Sequence, residues 1–246
     1  MTVKDFNKWA KVYDIIDADV KKDIPFYINQ AKKAKGKVLD IGCGTGRIYL
    51  ELLKNNIEAY GIDISSEMLK ILKKKAKKIG VLPKVHNMSM DNFKLNHKFK
   101  LIILPFNSFR YAINIKEQIK TLKLIKKHLA PKGKFIFDIY YPDPNIIIRA
   151  LKRSKSKEKL KTKEGTYEIK EEFYFEDFIN QINVVDEKIY KKGRLIGTAY
   201  RKGVIIYKRE MELLLMLAGF KKLKVYGGLK KEKLVSHKQK MVWIVE

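Results

Sequence analysis

Apolar residues recur at helical spacing in the first 35 residues and then give way to short runs typical of strands. In the N-terminal segment Phe6, Trp9, Val12 and Tyr13 fall on one side of a helix. The later pattern predicts strands and helices in alternation, which favours parallel strand pairing and right-handed crossovers. The predicted strands are 37–40, 57–62, 84–88, 99–104 and 134–140, and the predicted helices follow Gly46 and cover 67–78 and 116–129.

Residues 142–207 break this rhythm. Segment 152–163 holds seven basic residues and one acid, and we interpret it as a solvated helix end or a loop. Three stretches with strand-like alternation follow, with a hairpin turn predicted at 191–193. A helix over 209–218 and a final antiparallel pair of strands, 220–226 and 241–245, complete the chain.

The predicted architecture is a seven-stranded, mostly parallel, doubly wound α/β sheet with an inserted antiparallel β-sheet. We assign 1–141 and 208–246 to the core, with 1–35 as an N-terminal helical cover. We interpret 142–207 as a lid or a dimerisation element, because its alternating aromatic face needs a partner. The pattern is compatible with a monomer or a homodimer.

Composition limits the classes of function. No apolar run approaches the roughly 20 residues that cross a bilayer, and the N-terminus does not resemble a signal peptide, so we expect a cytoplasmic protein without a membrane partner. The single cysteine and four scattered histidines predict neither a disulfide nor a metal site. The net charge of +27 indicates either nucleic-acid binding or the lysine-rich composition of a heat-loving organism, and we favour the second because lysine is spread over most of the chain.

The informative motif is VLDIGCGTGR, residues 38–47, in which a strand ends in a glycine-rich turn and a helix begins. Glycines there allow a tight turn and close approach of the backbone to a ligand. The spacing Gly-x-Gly-x-Gly differs from the dinucleotide fingerprint Gly-x-Gly-x-x-Gly. Asp40, two residues before the first glycine, would repel a pyrophosphate but would suit a ligand that carries an amino group and a positive sulfonium.

A second acid ends the next strand. Asp63 lies 23 residues after Asp40, where a carboxylate can accept hydrogen bonds from vicinal ribose hydroxyls. The alternative interpretation is a helix-capping residue, since the helix at 67 begins just beyond it.

These two segments, VLDIGCGTGR and AYGIDISSEMLKILKKKA, resemble motifs I and II of the class I S-adenosylmethionine-dependent methyltransferases. The resemblance implies that Gly42 and Gly44 approach the methionine part of S-adenosylmethionine, that Asp40 holds the loop or the amino group, and that Asp63 binds the ribose. Arg47 follows the loop and is a candidate for binding the cofactor carboxylate; the alternative interpretation is a solvated arginine in the first turn of the helix. The remaining residues expected at the cofactor, or at its product S-adenosylhomocysteine, are Cys43, Gly46, Ile64, Ser89, Met90 and Leu104.

The third and fourth motifs match less closely. Ser89 stands where the family usually has an acid near adenine, so adenine recognition passes to Ser89, to the backbone N–H of Met90, or to Asp91 in a shifted register. Residues 104–109, LPFNSF, are similar to a small-molecule subgroup and differ from the Asn-Pro-Pro-Tyr type that acts on nucleobase amino groups.

The expected activity is methyl transfer to nitrogen or oxygen of a small-molecule acceptor. Alternatives are an RNA methyltransferase, prompted by the charge, and a non-catalytic cofactor-binding protein, prompted by the lack of a recognisable general base. In-line displacement from a sulfonium needs alignment and exclusion of water more than a catalytic triad. Candidates for the substrate wall are Tyr13, Phe106, Asn107, Phe109, Arg110, Tyr140 and Tyr141. Each aromatic residue among them is alternatively a core residue.

Overall fold

The computed structural model describes residues 3–16 and 20–246, which form two β-sheets with helices packed around the larger one. The helices are α1 (Val3–Ile16), α2 (Ile24–Ala34), α3 (Tyr49–Lys54), α4 (Ser66–Lys78), α5 (Ile115–His128), α6 (Pro144–Leu151) and α7 (Lys208–Leu217), with a 3-10 turn at Ser108–Tyr111. The strands are β1 (Val38–Ile41), β2 (Ala59–Asp63), β3 (Lys84–Asn87), β4 (Phe99–Leu104), β5 (Leu129–Tyr140), β6 (Ser154–Thr162), β7 (Gly165–Asp177), β8 (Ile182–Lys191), β9 (Arg194–Val204), β10 (Leu223–Tyr226) and β11 (Lys240–Val245).

The larger sheet has seven strands in the order β10-β11-β5-β4-β1-β2-β3. Strands β1 to β5 pair in parallel, whereas β11 runs antiparallel to both β5 and β10. The predicted seven-stranded, mostly parallel sheet and its final antiparallel pair are confirmed. The strand order reverses between β1 and β4, and a crevice at the carboxyl ends of such strands is where open α/β sheets bind ligands.

Alternating side chains of the central strands fill two apolar clusters, one on each face of this sheet. Leu39 and Ile102 belong to a cluster that includes residues of α5 and α7, whereas Val38 and Leu101 belong to a cluster that includes residues of α2, α3 and α4. Burial on both faces explains why these strands appear in the sequence as continuous apolar runs.

The smaller sheet has four antiparallel strands in the order β6-β7-β8-β9. Its predicted hairpin at 191–193 is confirmed, since Lys192 (φ 49°) and Gly193 (φ 76°) both adopt left-handed backbone conformations between β8 and β9. The interpretation of 152–163 as a helix end or loop is wrong, because 154–162 form β6. This lysine-rich strand lies at the edge of the sheet, where it pairs with β7.

Helix α1 joins the smaller sheet to the rest of the molecule. Trp9 and Val12 are buried against Tyr167 and Ile189 of that sheet, in a cluster that also includes Met68 of α4. A Cβ atom at Gly197 of β9 would lie 2.3 Å from Cγ1 of Val12, so the close approach of helix and strand depends on glycine at this position. The N-terminal helix is therefore packed between the smaller sheet and α4.

Two further features concern function. Among the described residues, no helix is long and apolar enough to cross a membrane. The same part of the chain contains no group of three or more His, Cys, Asp or Glu side chains that could hold a metal ion.

Candidate active site

The glycine-rich turn after β1 is tightly folded against the end of β2. The N–H groups of Gly42 and Cys43 donate to the carbonyl oxygen of Ile62 at 2.8 and 3.0 Å, and Gly42 and Gly44 have φ angles of 68° and 54°. A Cβ atom on Gly44 would have one neighbour within 4 Å, the carbonyl oxygen of Gly42 at 3.9 Å. The turn thus presents bare backbone to the space beside it.

Asp63, the last residue of β2, holds this turn in place. Its Oδ2 accepts a hydrogen bond from the N–H of Gly44 at 2.8 Å, and its Oδ1 accepts one from the N–H of Ser65 at 2.8 Å. Burial raises the pKa of Asp63 to about 6, against the lowering effect of these two bonds. The helix cap itself is Ser65, whose Oγ accepts from the N–H of Met68, so the capping interpretation of Asp63 covers only part of its role.

Asp40 lies on β1 beneath the turn and is 1% exposed. Its Oδ1 is buried without a hydrogen-bond partner in the described structure. Burial raises the pKa of Asp40 to about 8, because the opposing charge of Arg47 compensates only partly for the loss of solvent and Asp63 adds a like charge. A buried carboxyl group without a partner favours a cationic ligand group beside it.

A cavity of about 300 Å³ opens over the carboxyl ends of β1, β2 and β4. Its volume lies at the lower end of the roughly 300–1,000 Å³ typical of small-molecule sites. The candidate residues that line it are Tyr13, Asp40, Gly42, Cys43, Gly44, Arg47, Asp63, Ile64, Ser89, Met90, Leu104 and Phe106. The structure therefore brings together most of the residues expected at the cofactor.

Aromatic side chains of α1 and the cation of Arg47 close one side of this cavity. Phe6, Trp9 and Tyr13 all line it, and Trp9 stacks edge-on against Tyr13 with ring centroids 5.0 Å apart. The guanidinium of Arg47 binds the carboxylate of Asp23 through both of its terminal nitrogens, so its charge is already paired. The interpretation of Arg47 as a ligand for the cofactor carboxylate therefore requires it to share that charge with Asp23.

An unusual backbone segment after β4 lies beside Arg47, whose guanidinium is 5.0 Å from the centroid of the Phe106 ring. Phe106 and Asn107 have φ angles of 59° and 58°, a conformation that is costly for a bulky residue and is retained where the surroundings enforce it. Two side-chain oxygens hold it: Oδ1 of Asp138 accepts from the N–H of Phe106 at 2.9 Å, and Oδ1 of Asn107 accepts from the N–H of Tyr140 at 2.6 Å.

Asp138 is the buried centre of a small network. Its Oδ1 also accepts a hydrogen bond from the hydroxyl of Tyr27 at 2.6 Å, and Nζ of Lys240 lies 2.9 Å from its Oδ2. Burial and the neighbouring Asp138 carboxylate raise the pKa of Tyr27 well above its usual range. Asp138 therefore has a structural role, because it fixes the Phe106 backbone.

The third-motif residues Ser89 and Met90 also line the cavity, together with Asp91. The hydroxyl of Ser89 donates to Oδ1 of Asp91, whose Oδ2 lies 3.8 Å from Nζ of Lys120. Ser89 and Asp91, the two side chains considered for adenine recognition, thus both line the first cavity and are hydrogen-bonded to each other.

Two candidates line neither this cavity nor the second one described below. Phe109 is fully buried in the core, with its ring tilted against that of Phe137 at 5.9 Å between centroids, so its assignment to the substrate wall is wrong. Gly46 does not line the cavity either, because it packs beneath Leu50 and Leu72, where its φ of 91° completes the turn. Cys43, which does line the first cavity, is buried close to Gly61, and burial raises the pKa of its thiol.

The other candidates line a second cavity of about 230 Å³ between the 3-10 turn, the end of β5, α6 and the smaller sheet. Those candidates are Asn107, Arg110, Tyr140 and Tyr141. Since Phe106 and Ser108 line the first cavity and Asn107 the second, one loop separates the two.

Sequence reasoning did not assign Phe6, Trp9, Met88, Ser108, Tyr111 and Glu117 to the site, although all of them line the first cavity. The helical spacing of Phe6 and Trp9 with Tyr13 was a usable signal, because one helix face that covers a site presents all three. Nothing in the local sequence marks Asp23 as the partner of Arg47, which lies 24 residues further along the chain.

Comparison with known proteins agrees with this geometry. Residues 38–133 match the model of a methyltransferase domain family. The chain is 26% identical over 136 residues to the putative methyltransferase YqeM of Bacillus subtilis, covering 55% of each protein. It is 25% identical over 121 residues to the dTDP-3-amino-3,4,6-trideoxy-alpha-D-glucopyranose N,N-dimethyltransferase of Streptomyces venezuelae, covering 48% of each. The matched region thus spans about half the length of these curated relatives.

The likeness of fold extends over nearly the whole chain. The crystal structure of an S-adenosylmethionine-dependent methyltransferase from Clostridium acetobutylicum superimposes with a TM-score of 0.78, covering 98% of both chains at 23% sequence identity. Taken with the match of residues 38–133 to a methyltransferase domain, this likeness shows that the chain has the fold of the class I S-adenosylmethionine-dependent methyltransferases.

Proposed function

We propose that this protein transfers a methyl group from S-adenosylmethionine to a nitrogen or oxygen atom of a small-molecule acceptor. The observation that carries the proposal is the buried, unpartnered Oδ1 of Asp40 in a cavity bordered by the bare turn of Gly42 and Gly44. A ligand with an ammonium group would supply the partner that this oxygen lacks.

The residues present fit this cofactor. The cavity wall contains the carboxylates of Asp40, Asp63, Asp91 and Glu117, whereas its described cation, Arg47, is paired with Asp23. An acidic wall suits a ligand that carries a sulfonium and an ammonium group, and it disfavours a pyrophosphate. Asp63 would hold the ribose only through the lone pairs that its bonds to Gly44 and Ser65 leave free.

When bound, S-adenosylmethionine supplies an activated methyl group on a sulfonium, ready for in-line displacement. The chain's own contribution is then alignment and exclusion of water. Trp9, Tyr13 and Phe106 line the cavity, and two hydrogen bonds fix the backbone at Phe106 and Asn107. In this proposal the N-terminal helix covers the cofactor. The smaller sheet acts as a lid over the acceptor and not as a dimerisation element.

The acceptor would occupy the second cavity, separated from the first by the loop at 106–108. The Streptomyces venezuelae relative is an N,N-dimethyltransferase of an amino sugar nucleotide, which supports a nitrogen acceptor on a small molecule. Relatives among the solved structures include a sugar N-methyltransferase of a Streptoalloteichus species, which supports the same class.

Two other functions make different predictions. An RNA acceptor, suggested by the net charge of +27, predicts methyl transfer that falls steeply with salt concentration, because phosphate contacts release counterions. A non-catalytic cofactor-binding protein predicts tight binding of S-adenosylhomocysteine without transfer to any acceptor.

The test is transfer of a labelled methyl group to three acceptor sets: small primary and secondary amines including amino sugars, small hydroxyl compounds, and total tRNA and rRNA, each over a salt series. We expect transfer to a small molecule with little dependence on salt. Transfer confined to RNA and lost at high salt would overturn the small-molecule assignment. Tight cofactor binding without transfer in any set would favour the non-catalytic function.

A further inference from the structure

The second cavity contains a charge arrangement that the methyl transfer itself does not require. It lies between the end of β5, α6 and the smaller sheet, and its wall is largely apolar, with Ile139, Phe173 and Val204 among its residues. Its charged residues are Arg110, Asp143, Arg149 and Glu171.

Three of these four charged groups have partners. Arg149 lies 3.5 Å from the carboxylate of Glu171, whose pKa is raised by burial and by the nearby Glu187. Asp143 caps α6 by accepting from the N–H of Asn145 at 2.8 Å, and it lies 3.9 Å from Nε2 of His237.

Arg110 differs from the other three. Its Nη2 donates to the neutral amide oxygen Oδ1 of Asn183, and its Nε is buried without a hydrogen-bond partner. A Cβ atom at Gly203 would lie 2.5 Å from that Nε, so β9 packs directly on the guanidinium. The ion pairs of the described residues include none with Arg110, and the carboxylate of Glu187 binds Arg201 through both oxygens.

Burying the charged guanidinium of Arg110 is unfavourable, and no ion pair of the described residues compensates for it. Burial disfavours the charged form of Arg110 and lowers its pKa, and the positive charge of Arg201 lowers it further. An arginine nevertheless stays protonated in proteins, so the cavity wall keeps an uncompensated positive charge. A planar guanidinium binds carboxylate and phosphate groups with particular strength and directionality.

We propose that the second cavity binds an acceptor that carries a carboxylate or phosphate group, and that Arg110 is the residue that recognises this anion. The proposal rests on the proposed function, because it assigns a substrate class to the acceptor side of the same site. The apolar wall would hold the body of such a molecule, and Arg110 would select an anionic acceptor over its neutral isostere.

The test uses small anions, so that it does not depend on the identity of the acceptor. The ¹⁵Nε–¹Hε resonance of Arg110, assigned by its loss in Arg110→Gln, is followed while the protein saturated with S-adenosylhomocysteine is titrated with butyrate, propylphosphonate or the neutral isostere butyramide. We expect saturable shifts with the anions and a Kd about 10- to 100-fold lower than for butyramide. Tighter binding of butyrate than of propylphosphonate indicates an acceptor with a carboxylate, and the reverse order indicates an acceptor with a phosphate group.

Variants separate recognition from folding. Asn183→Asp places a carboxylate beside Arg110 while preserving shape, so it should abolish anion binding without loss of the fold. Arg149→Gln removes the paired cation of the same cavity and should leave the preference for anions unchanged. Absence of a saturable shift of Arg110 up to about 50 mM anion, or unchanged anion binding in Asn183→Asp, would overturn the proposal. Failure of S-adenosylhomocysteine to bind at all would instead overturn the proposed function.

Discussion

Asp40 makes cofactor affinity depend on pH in a way that can be calculated. Burial raises the pKa of its carboxyl group to about 8, so most molecules carry a neutral Asp40 at pH 6.5. A ligand ammonium group that pairs with this carboxyl needs its ionised form. Binding must therefore remove a proton, and affinity must rise with pH until the group is ionised in the free protein.

The magnitude follows from the pKa. With a pKa of about 8, the fraction of ionised Asp40 rises about 25-fold between pH 6.5 and pH 8.5, and the affinity for S-adenosylhomocysteine should rise by the same factor. At pH 7.5 about three quarters of the Asp40 carboxyls are protonated, so each binding event should release about 0.8 proton. Asp63, with a pKa near 6, contributes little in this range.

The assay is isothermal titration calorimetry with S-adenosylhomocysteine at pH 6.5, 7.5 and 8.5, in buffers of different ionisation enthalpy. The matched variant is Asp40→Asn, which keeps the shape of the side chain and cannot ionise. We expect it to bind with an affinity that changes little with pH and to release almost no proton. A flat affinity in the wild type, or the same proton release from Asp40→Asn, would refute the role given to Asp40.

Three further predictions concern stability. The unliganded protein should become less stable as the pH rises from about 4 to 8, because the folded state holds the Asp40 proton more tightly than the unfolded chain does. Urea unfolding should show that the free energy of unfolding depends less on pH in Asp40→Asn than in the wild type. Tyr27→Phe should cost about 1–3 kcal/mol by removing a hydrogen bond to the buried Asp138 carboxylate, and differential scanning calorimetry that found no loss would contradict that network. Gly197→Ala should lower the free energy of unfolding by about 1–3 kcal/mol and weaken cofactor binding, because the added methyl group displaces α1. Adding Val12→Ala should restore both stability and binding. Failure of this rescue would show that the helix–strand contact is not the cause.

The sequence predicts the larger sheet well because its signals are local. Val38 to Arg47 joins an apolar strand to a glycine turn and a helix, and each of these features is recognised from neighbouring residues. Ser65 likewise predicts the start of α4, which the structure confirms. The strand β5 begins earlier than expected, at Leu129 rather than Lys134, since pairing with Phe99 of β4 extends it past Pro131.

Features that depend on long-range contacts were not predictable in the same way. Strand β6 has lysine at alternate positions and little apolar content, so only its pairing with β7 identifies it as a strand. Arg110 and Asn183 are 73 residues apart, and Asn107 and Tyr140 are 33 apart, so neither contact has a local signal. Phe109 was misassigned because an aromatic residue beside a functional loop packs equally well into the core or the site.

The measurement that tests the central claim most directly is titration of the purified protein with S-adenosylhomocysteine, repeated for Asp63→Ala and for the surface control Glu67→Ala. We predict micromolar binding to the wild type and to Glu67→Ala, whose carboxylate contacts only exposed Lys70 among the described side chains. Binding should be lost in Asp63→Ala, because the turn at Gly44 loses the carboxylate that holds it. A folded wild-type protein that fails to bind S-adenosylhomocysteine would contradict the account.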